Sequence, residues 1–192
     1  MLRRSHWKQD YCPRCKGCIE TTGHLLQCTH TECVDTFKKS TNELDLWLLR
    51  QQTPDIIREE IIHFLGLWKT QQPCNTNPKL SQPMQAQLQF GFEHFLAGRP
   101  VRDFELYMES YYKKHSIKKT GRKWLTVLIQ NIWTVLHKPQ WENRNAHVHN
   151  YNTESEASRA TEELQFKLQQ LYLGELQANL LVRNQHLMDE AM

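Results

Sequence analysis

Apolar residues fall into helical stripes along most of this chain. Leu44, Trp47 and Leu48 recur at i, i+3 and i+4 and predict a helix over about 41–51. Thr53-Pro54-Asp55 follows as a start signal, with Thr as cap, Pro at the first helical position and an acid in the first turn. From there Ile57, Ile61, Phe64, Leu65 and Trp68 share one face, and the pattern ends near Trp68. Residues 70–82 are polar and punctuated by Pro73 and Pro78, which predicts a loop. Leu88, Phe92, Phe95 and Leu96 then predict a helix over about 83–97, stopped by Gly98 with Pro100 just beyond. Phe104, Tyr107, Met108, Tyr111 and Tyr112 line one side of a further helix, about 101–115.

The strongest apolar segment follows Gly121. Over about 122–137, Trp124, Leu125, Val127, Leu128, Ile129, Ile132, Trp133, Val135 and Leu136 leave almost no polar face. A helix of that kind is expected in the middle of a bundle. Pro139 is expected to end or kink it before Trp141. Arg144 and Asn145 then read as caps for the last carbonyls of that helix, and His147-Val148-His149 as a surface loop. Residues 154–190 are rich in Glu, Gln and Leu, with Phe166, Leu173, Leu180 and Leu187 recurring every seven. Gln169 and Arg183 interrupt the companion positions, so a long amphipathic helix docked on the bundle is expected before a coiled coil. No segment alternates with period two, so the expected fold class is all-α. Its parts are a small Cys/His module with a basic arm over 1–35, a helical bundle over 41–150 and a long C-terminal helix over 154–192.

Composition changes this picture little. The 192 residues suffice for one domain plus an appended module, and 39% hydrophobic residues with six Trp supply a core. The net charge of +3 is mildly basic and well short of a polycation, so any nucleic-acid contact must come from local clusters. Met1 to Lys8 lacks the apolar stretch of a secretory signal, and no apolar run approaches the ~18 residues of a membrane span. An intracellular protein, nuclear or cytoplasmic and without a membrane partner, is therefore expected. In a reducing compartment, five of six cysteines clustered within residues 12–33 beside a histidine favour metal ligation over disulfides.

The cluster itself has spacing C-x2-C-x8-H-x3-C, formed by Cys12, Cys15, His24 and Cys28. A C-x2-C pair lets two thiolates converge at a tight turn, and His24 and Cys28 lie four apart, on one face of a helical turn. Zinc prefers four such ligands in a tetrahedron, which makes this a candidate CCHC zinc knuckle. Cys18 competes with Cys15 for the site, and His30 or Cys33 with Cys28. Four protein ligands leave no position for water, so the Zn2+ is expected to be structural.

Cys12-Pro13-x-Cys15 followed by Glu20-Thr21-x-x-His24-Leu25-Leu26-x-Cys28 resembles the zinc-binding segment downstream of reverse transcriptase domains in non-LTR (LINE-like) retroelements. Gly121-Arg122-Lys123-Trp124, Trp133 and then Trp141-x-x-Arg144-Asn145-x-x-x-His149 resemble the helical tail of the same reading frames. The resemblance implies a zinc segment that assists nucleic-acid binding. The polymerase motif Tyr/Phe-x-Asp-Asp is absent, so it also implies a C-terminal piece, a truncated copy or a domesticated remnant that does not polymerise.

The basic stretch from Lys113 to Lys123 adds a second candidate contact. Lys113, Lys114, Lys118, Lys119, Arg122 and Lys123 follow Tyr111 and Tyr112, a combination suited to phosphates and unpaired bases. Arg14 and Lys16, with Arg3, Arg4 and Lys8, give the knuckle a similar basic flank. No catalytic residues are expected. Asp-x-Lys and Glu-x-Lys do not occur, Pro54-Asp55 opens a helix, and no phosphate-cradling Gly loop or nucleophile elbow is present. Two readings result: a non-enzymatic module that associates with RNA or DNA, or a protein–protein interaction module. In the second, the zinc is a staple and the C-terminal helix recruits a partner or self-associates.

Overall fold

The structure, a computed structural model, describes residues 11–153 and 164–165. Among the described residues it is all-helical, apart from an isolated antiparallel bridge between Tyr11 and Ile19. A short helix, α1 (Thr22–Gln27), lies inside the Cys/His segment. The next, α2 (Thr31–Arg50), starts well before the expected position near 41. The reason is that Cys33, Phe37 and Ser40 extend the buried face of Leu44 and Leu48 toward the N-terminus at spacings of three and four.

Helix α3 (Asp55–Lys69) begins where the sequence places it, but Thr53 does not cap it. The Thr53 hydroxyl is buried and instead accepts a hydrogen bond from the Trp124 indole N–H at 2.9 Å. A buried indole N–H needs a partner, and this one outcompetes local capping. The single helix expected over 83–97 is two, α4 (Gln82–Phe90) and α5 (Phe92–Leu96). The break falls at Gly91, whose φ of +109° is a conformation open to glycine and rarely to other residues. Buried Gln87 ties the break together, donating to the Gly91 carbonyl at 3.0 Å and accepting from Val101 N–H at 2.8 Å. The turn aims Phe92 and Phe95 into the core against Phe64 and Phe104. Gly98, at φ +74°, follows the end of α5 as the expected stop.

Helix α6 (Asp103–Lys114) packs on α7 (Gly121–Asn131), and their backbones come close at Gly121. A Cβ at Gly121 would strike the backbone of Glu105 and Glu109. The apolar segment after Gly121 is not buried all round. Trp124, Leu128, Ile132, Val135 and Leu136 face the core, whereas Trp133 is 59% exposed and Ile129 lies at the surface. The helix therefore sits on the side of the bundle, with one apolar face turned outward. Nor does Pro139 end it. The chain widens into a π-helical segment (Ile132–His137) and continues as α8 (Lys138–Thr153). Pro139 then occupies the first turn of α8, where its missing N–H is tolerated. The stretch His147-Val148-His149, expected as a loop, is part of α8.

The described residues up to Ala146 make one compact unit, and those from His147 belong to a second. The long helix expected over 154–192 lies outside the described residues, except for 164–165, which are helical. The main core of the first unit is drawn from α1 to the π-segment, including Leu26, Leu44, Ile61, Met84, Phe95, Met108 and Leu128, and Cys12, Cys28 and Cys33 form a second, smaller cluster. No helix among the described residues is long and apolar enough to cross a membrane.

Candidate metal centre

The turn Cys12-Pro13-Arg14-Cys15 is closed by two backbone bonds, Cys12 N–H to Cys18 carbonyl and Lys16 N–H to Cys12 carbonyl, both 2.8 Å. Lys16 takes a positive φ of 55° to complete it. The second pair of side chains comes from α1. The Thr21 side chain caps that helix by accepting from His24 N–H at 3.0 Å, and Cys28 sits at its C-terminal end. So short a helix is marginal alone, and it stands here because its residues are held at both ends.

These two pieces bring Cys12, Cys15, His24 and Cys28 together, with their ligand atoms all within 4.8 Å of one another. Cys12 Sγ and Cys28 Sγ are 3.8 Å apart, and Cys15 Sγ and His24 Nε2 are 3.4 Å apart. A tetrahedral ion with Zn–S bonds of about 2.3 Å and Zn–N of about 2.0–2.1 Å sets two thiolates about 3.8 Å apart, and a thiolate and imidazole about 3.6 Å apart. The donor set thus has the size of a tetrahedral thiolate–imidazole site and can hold a metal ion. Cys18 is exposed on the turn and outside the group. Cys33 is buried beside Cys12 and Cys28, but its thiol points at the carbonyls of Leu25 and Leu26, at 3.7 and 3.8 Å. His30 precedes α2 and is not in the group either.

Electrostatics around the sulfurs are uneven. At Cys15 burial works to raise the thiol pKa, but N–H groups of Gly17 and Cys18 and the neighbouring sulfurs outweigh it, and the net is a lowered value. Burial pushes Cys28 up to about 12, with Cys12 adding to the rise. His24 is lowered by burial and then by Arg14, which favours the neutral imidazole that a metal needs. With Cys28 raised this far its thiol is protonated, and loading a cation on the four donors would release protons.

A second layer of side chains, invisible in the local sequence, fixes the centre to the bundle. Arg14 is only 4% exposed. Its guanidinium donates to Gln140 Oε1 at 2.9 Å, to the Leu25 carbonyl at 2.6 Å and, more distantly, to Asn143 Oδ1 at 3.4 Å. Gln140 in turn donates to the Cys33 carbonyl at 2.8 Å. Arg144 makes a bidentate pair with Glu20, at 2.8 and 2.5 Å. Lys69 donates to the carbonyls of Leu26 and Cys28, at 2.6 and 3.0 Å. Arg14 is therefore committed inside the protein and does not face a phosphate backbone. Arg144 does not cap the preceding helix; it bridges α8 to the knuckle, and Asn145 accepts from it at 3.3 Å.

The other basic candidates lie elsewhere. Lys16 is exposed at the knuckle, and Arg3, Arg4 and Lys8 lie outside the described residues. Lys114, Lys118, Arg122 and Lys123 are exposed around the α6–α7 connection. Lys113 pairs with Glu109 at 3.4 Å, and Lys119 donates to the Arg50 carbonyl at 3.0 Å. Tyr112 is a core residue whose hydroxyl donates to the Gln51 carbonyl at 2.8 Å, so it offers no face for stacking. Tyr111 is half-buried against His115. Among the sequence-predicted residues, then, the metal ligands converge while the basic residues divide into a knuckle group and a loop group. The chain matches no protein-family model, no curated protein and no solved structure.

Proposed function

We propose that this chain is a non-catalytic zinc-binding module that associates with nucleic acid through the basic connection around residues 113–123. The observation that carries the zinc part is the Cys12, Cys15, His24, Cys28 donor set, whose separations match a tetrahedral ion. Three sulfurs and an imidazole select zinc over harder cations. With all four positions filled by protein the ion is structural. It holds the Cys12–Cys15 turn against α1, and Arg14, Lys69 and Arg144 extend that hold to α3 and α8. The nucleic-acid part draws on six cations without an acid between Lys113 and Lys123, and on the resemblance to the zinc segment and tail of retroelement reverse transcriptases. A reducing, intracellular setting fits thiolates kept for a metal.

Metal analysis of the purified chain is expected to return about one zinc per chain, and Cys28→Ser far less. Titration of a labelled single strand of RNA or DNA is expected to show binding that weakens steeply with salt. A chain without zinc overturns the first part, and salt-insensitive or absent binding overturns the second. A protein-interaction role is favoured by one observation, the outward-facing Trp133 and Trp141, both more than half exposed. Concentration-dependent self-association without nucleic-acid binding would select that reading instead.

A further inference from the structure

The basic connection is not a flat charged surface. Gln51, Tyr112, Lys118, Lys119, Thr120, Lys123, Trp124 and Val127 line a cleft of about 300 Å³ where the end of α2 meets α6 and the start of α7. We propose that this cleft is the phosphate-binding subsite of the nucleic-acid surface, with Lys118 and Lys123 as the residues that contact the phosphate. The proposal deepens the nucleic-acid reading above and rests on it.

The walls are built and satisfied. Tyr112 hydroxyl and Lys119 Nζ bind the carbonyls of Gln51 and Arg50 at the end of α2, and the Trp124 indole is held by Thr53. The connecting loop is pinned by Ser116 N–H to Lys113 carbonyl, Ile117 N–H to Tyr112 carbonyl and Lys119 N–H to Ile117 carbonyl. Two of the first amides of α7 are taken. Gly121 N–H goes to Glu109 Oε2 at 2.8 Å, and Lys123 N–H to the Thr120 hydroxyl at 3.2 Å. The cleft's attraction for an anion therefore comes from its cations. Lys119 is occupied as a wall, whereas Lys118 and Lys123 are exposed on a loop and helix that are already ordered. Closing on a ligand then costs side-chain rotamer freedom but no further ordering of the backbone. Glu109 accepts from Gly121 N–H and pairs with Lys113, which hold its pKa below the usual range, the Gly121 bond foremost. An apolar floor of Trp124 and Val127 beside a phosphate clamp suits a nucleotide better than a simple anion.

The test uses the full zinc-loaded chain and two probes, inorganic pyrophosphate and a single-stranded oligonucleotide, followed by amide NMR and by anisotropy. Both probes are expected to shift the amides of Thr120, Gly121, Arg122 and Lys123. The double variant Lys118→Gln/Lys123→Gln is expected to lose both sets of shifts and to lower the salt slope of oligonucleotide binding by about 1.4, two contacts at about 0.7 each. Lys38→Gln/Lys39→Gln removes the same charge from exposed positions of α2 remote from the cleft and is expected to change neither. If the oligonucleotide binds but its shifts map elsewhere, or both double variants weaken it equally, the cleft is wrong and the nucleic-acid reading survives. If pyrophosphate shifts the cleft while the oligonucleotide does not bind, the subsite stands as one for free phosphates and the nucleic-acid reading falls. Shifts with neither probe overturn both.

Discussion

Replacing Arg14 by methionine separates two roles that the sequence leaves open for this residue. As a nucleic-acid contact beside the knuckle, its loss would weaken binding and leave stability alone. The structure assigns it the opposite behaviour. Methionine keeps most of the length and apolar surface of the side chain but leaves Gln140 Oε1 and the Leu25 carbonyl without their donor. Gln140 is fully buried, so water cannot readily replace the guanidinium there. Two charge-assisted bonds are worth about 1.5–3 kcal/mol each, and an orphaned buried acceptor costs about 1–3 kcal/mol. Part of this is recovered, because the variant no longer desolvates a cation whose Nε has no partner among the described residues. The net expectation is a loss of about 2–4 kcal/mol. For a chain of this size that corresponds to a Tm lowered by about 6–12 °C. The assay is thermal unfolding by circular dichroism at saturating zinc, with oligonucleotide affinity measured on the folded variant. A Tm within a degree of the wild type, together with weakened binding, would refute the reasoning and return Arg14 to the surface.

Further expectations follow from the same contacts. His137 is pulled below the ordinary histidine value by burial, although its bond to the Leu96 carbonyl opposes this. The unfolded chain then binds a proton that the folded one resists, so stability present above about pH 6.5 is lost as pH falls toward the folded value. Denaturant titrations at about pH 7.5 and about pH 5.5 should show a larger loss for wild type than for His137→Gln; equal losses would contradict it. Gly121→Ala places a Cβ against the backbone of Glu105 and Glu109, and should cost at least the ~1–3 kcal/mol of an overpacked site because backbone cannot give way as a side chain can. Chemical denaturation checks this, and a neutral variant would mean that α6 and α7 are not packed as closely as here. Arg144→Lys keeps the charge but loses the planar fork that meets Glu20, and should destabilise by about 1 kcal/mol, read as a shift in denaturation midpoint. Full compensation by lysine would show that the pair acts as a simple charge contact.

Much of the helical framework was legible because periodic burial leaves a local trace. Leu44 and Leu48, the 57-61-64-65-68 stripe, and Phe104 with Met108 and Tyr112 all mark faces that do meet the core. The Cys/His spacing was legible for a similar reason, since the four donor side chains come from two short segments whose geometry is set within a few bonds. Where the sequence misled, a distant partner decided. Thr53 satisfies Trp124 instead of capping its own helix, and the apolar face of Trp133 and Ile129 turns outward because the opposite face packs against α2 and α6. Gly91 splits a continuous stripe, as only backbone torsion can.

By itself, then, the sequence determined the helical class, the approximate extent of α3 and α6, and a Cys3His donor set able to hold a metal ion. Tertiary structure alone decided what the charged residues around them do. Arg14 and Gln140 lie 126 residues apart, and Glu20 and Arg144 are separated by 124. Side-chain charge is a property of composition, but whether that charge faces solvent, a phosphate or a buried carbonyl depends on what the folded chain places opposite it. No local pattern encodes such a pairing.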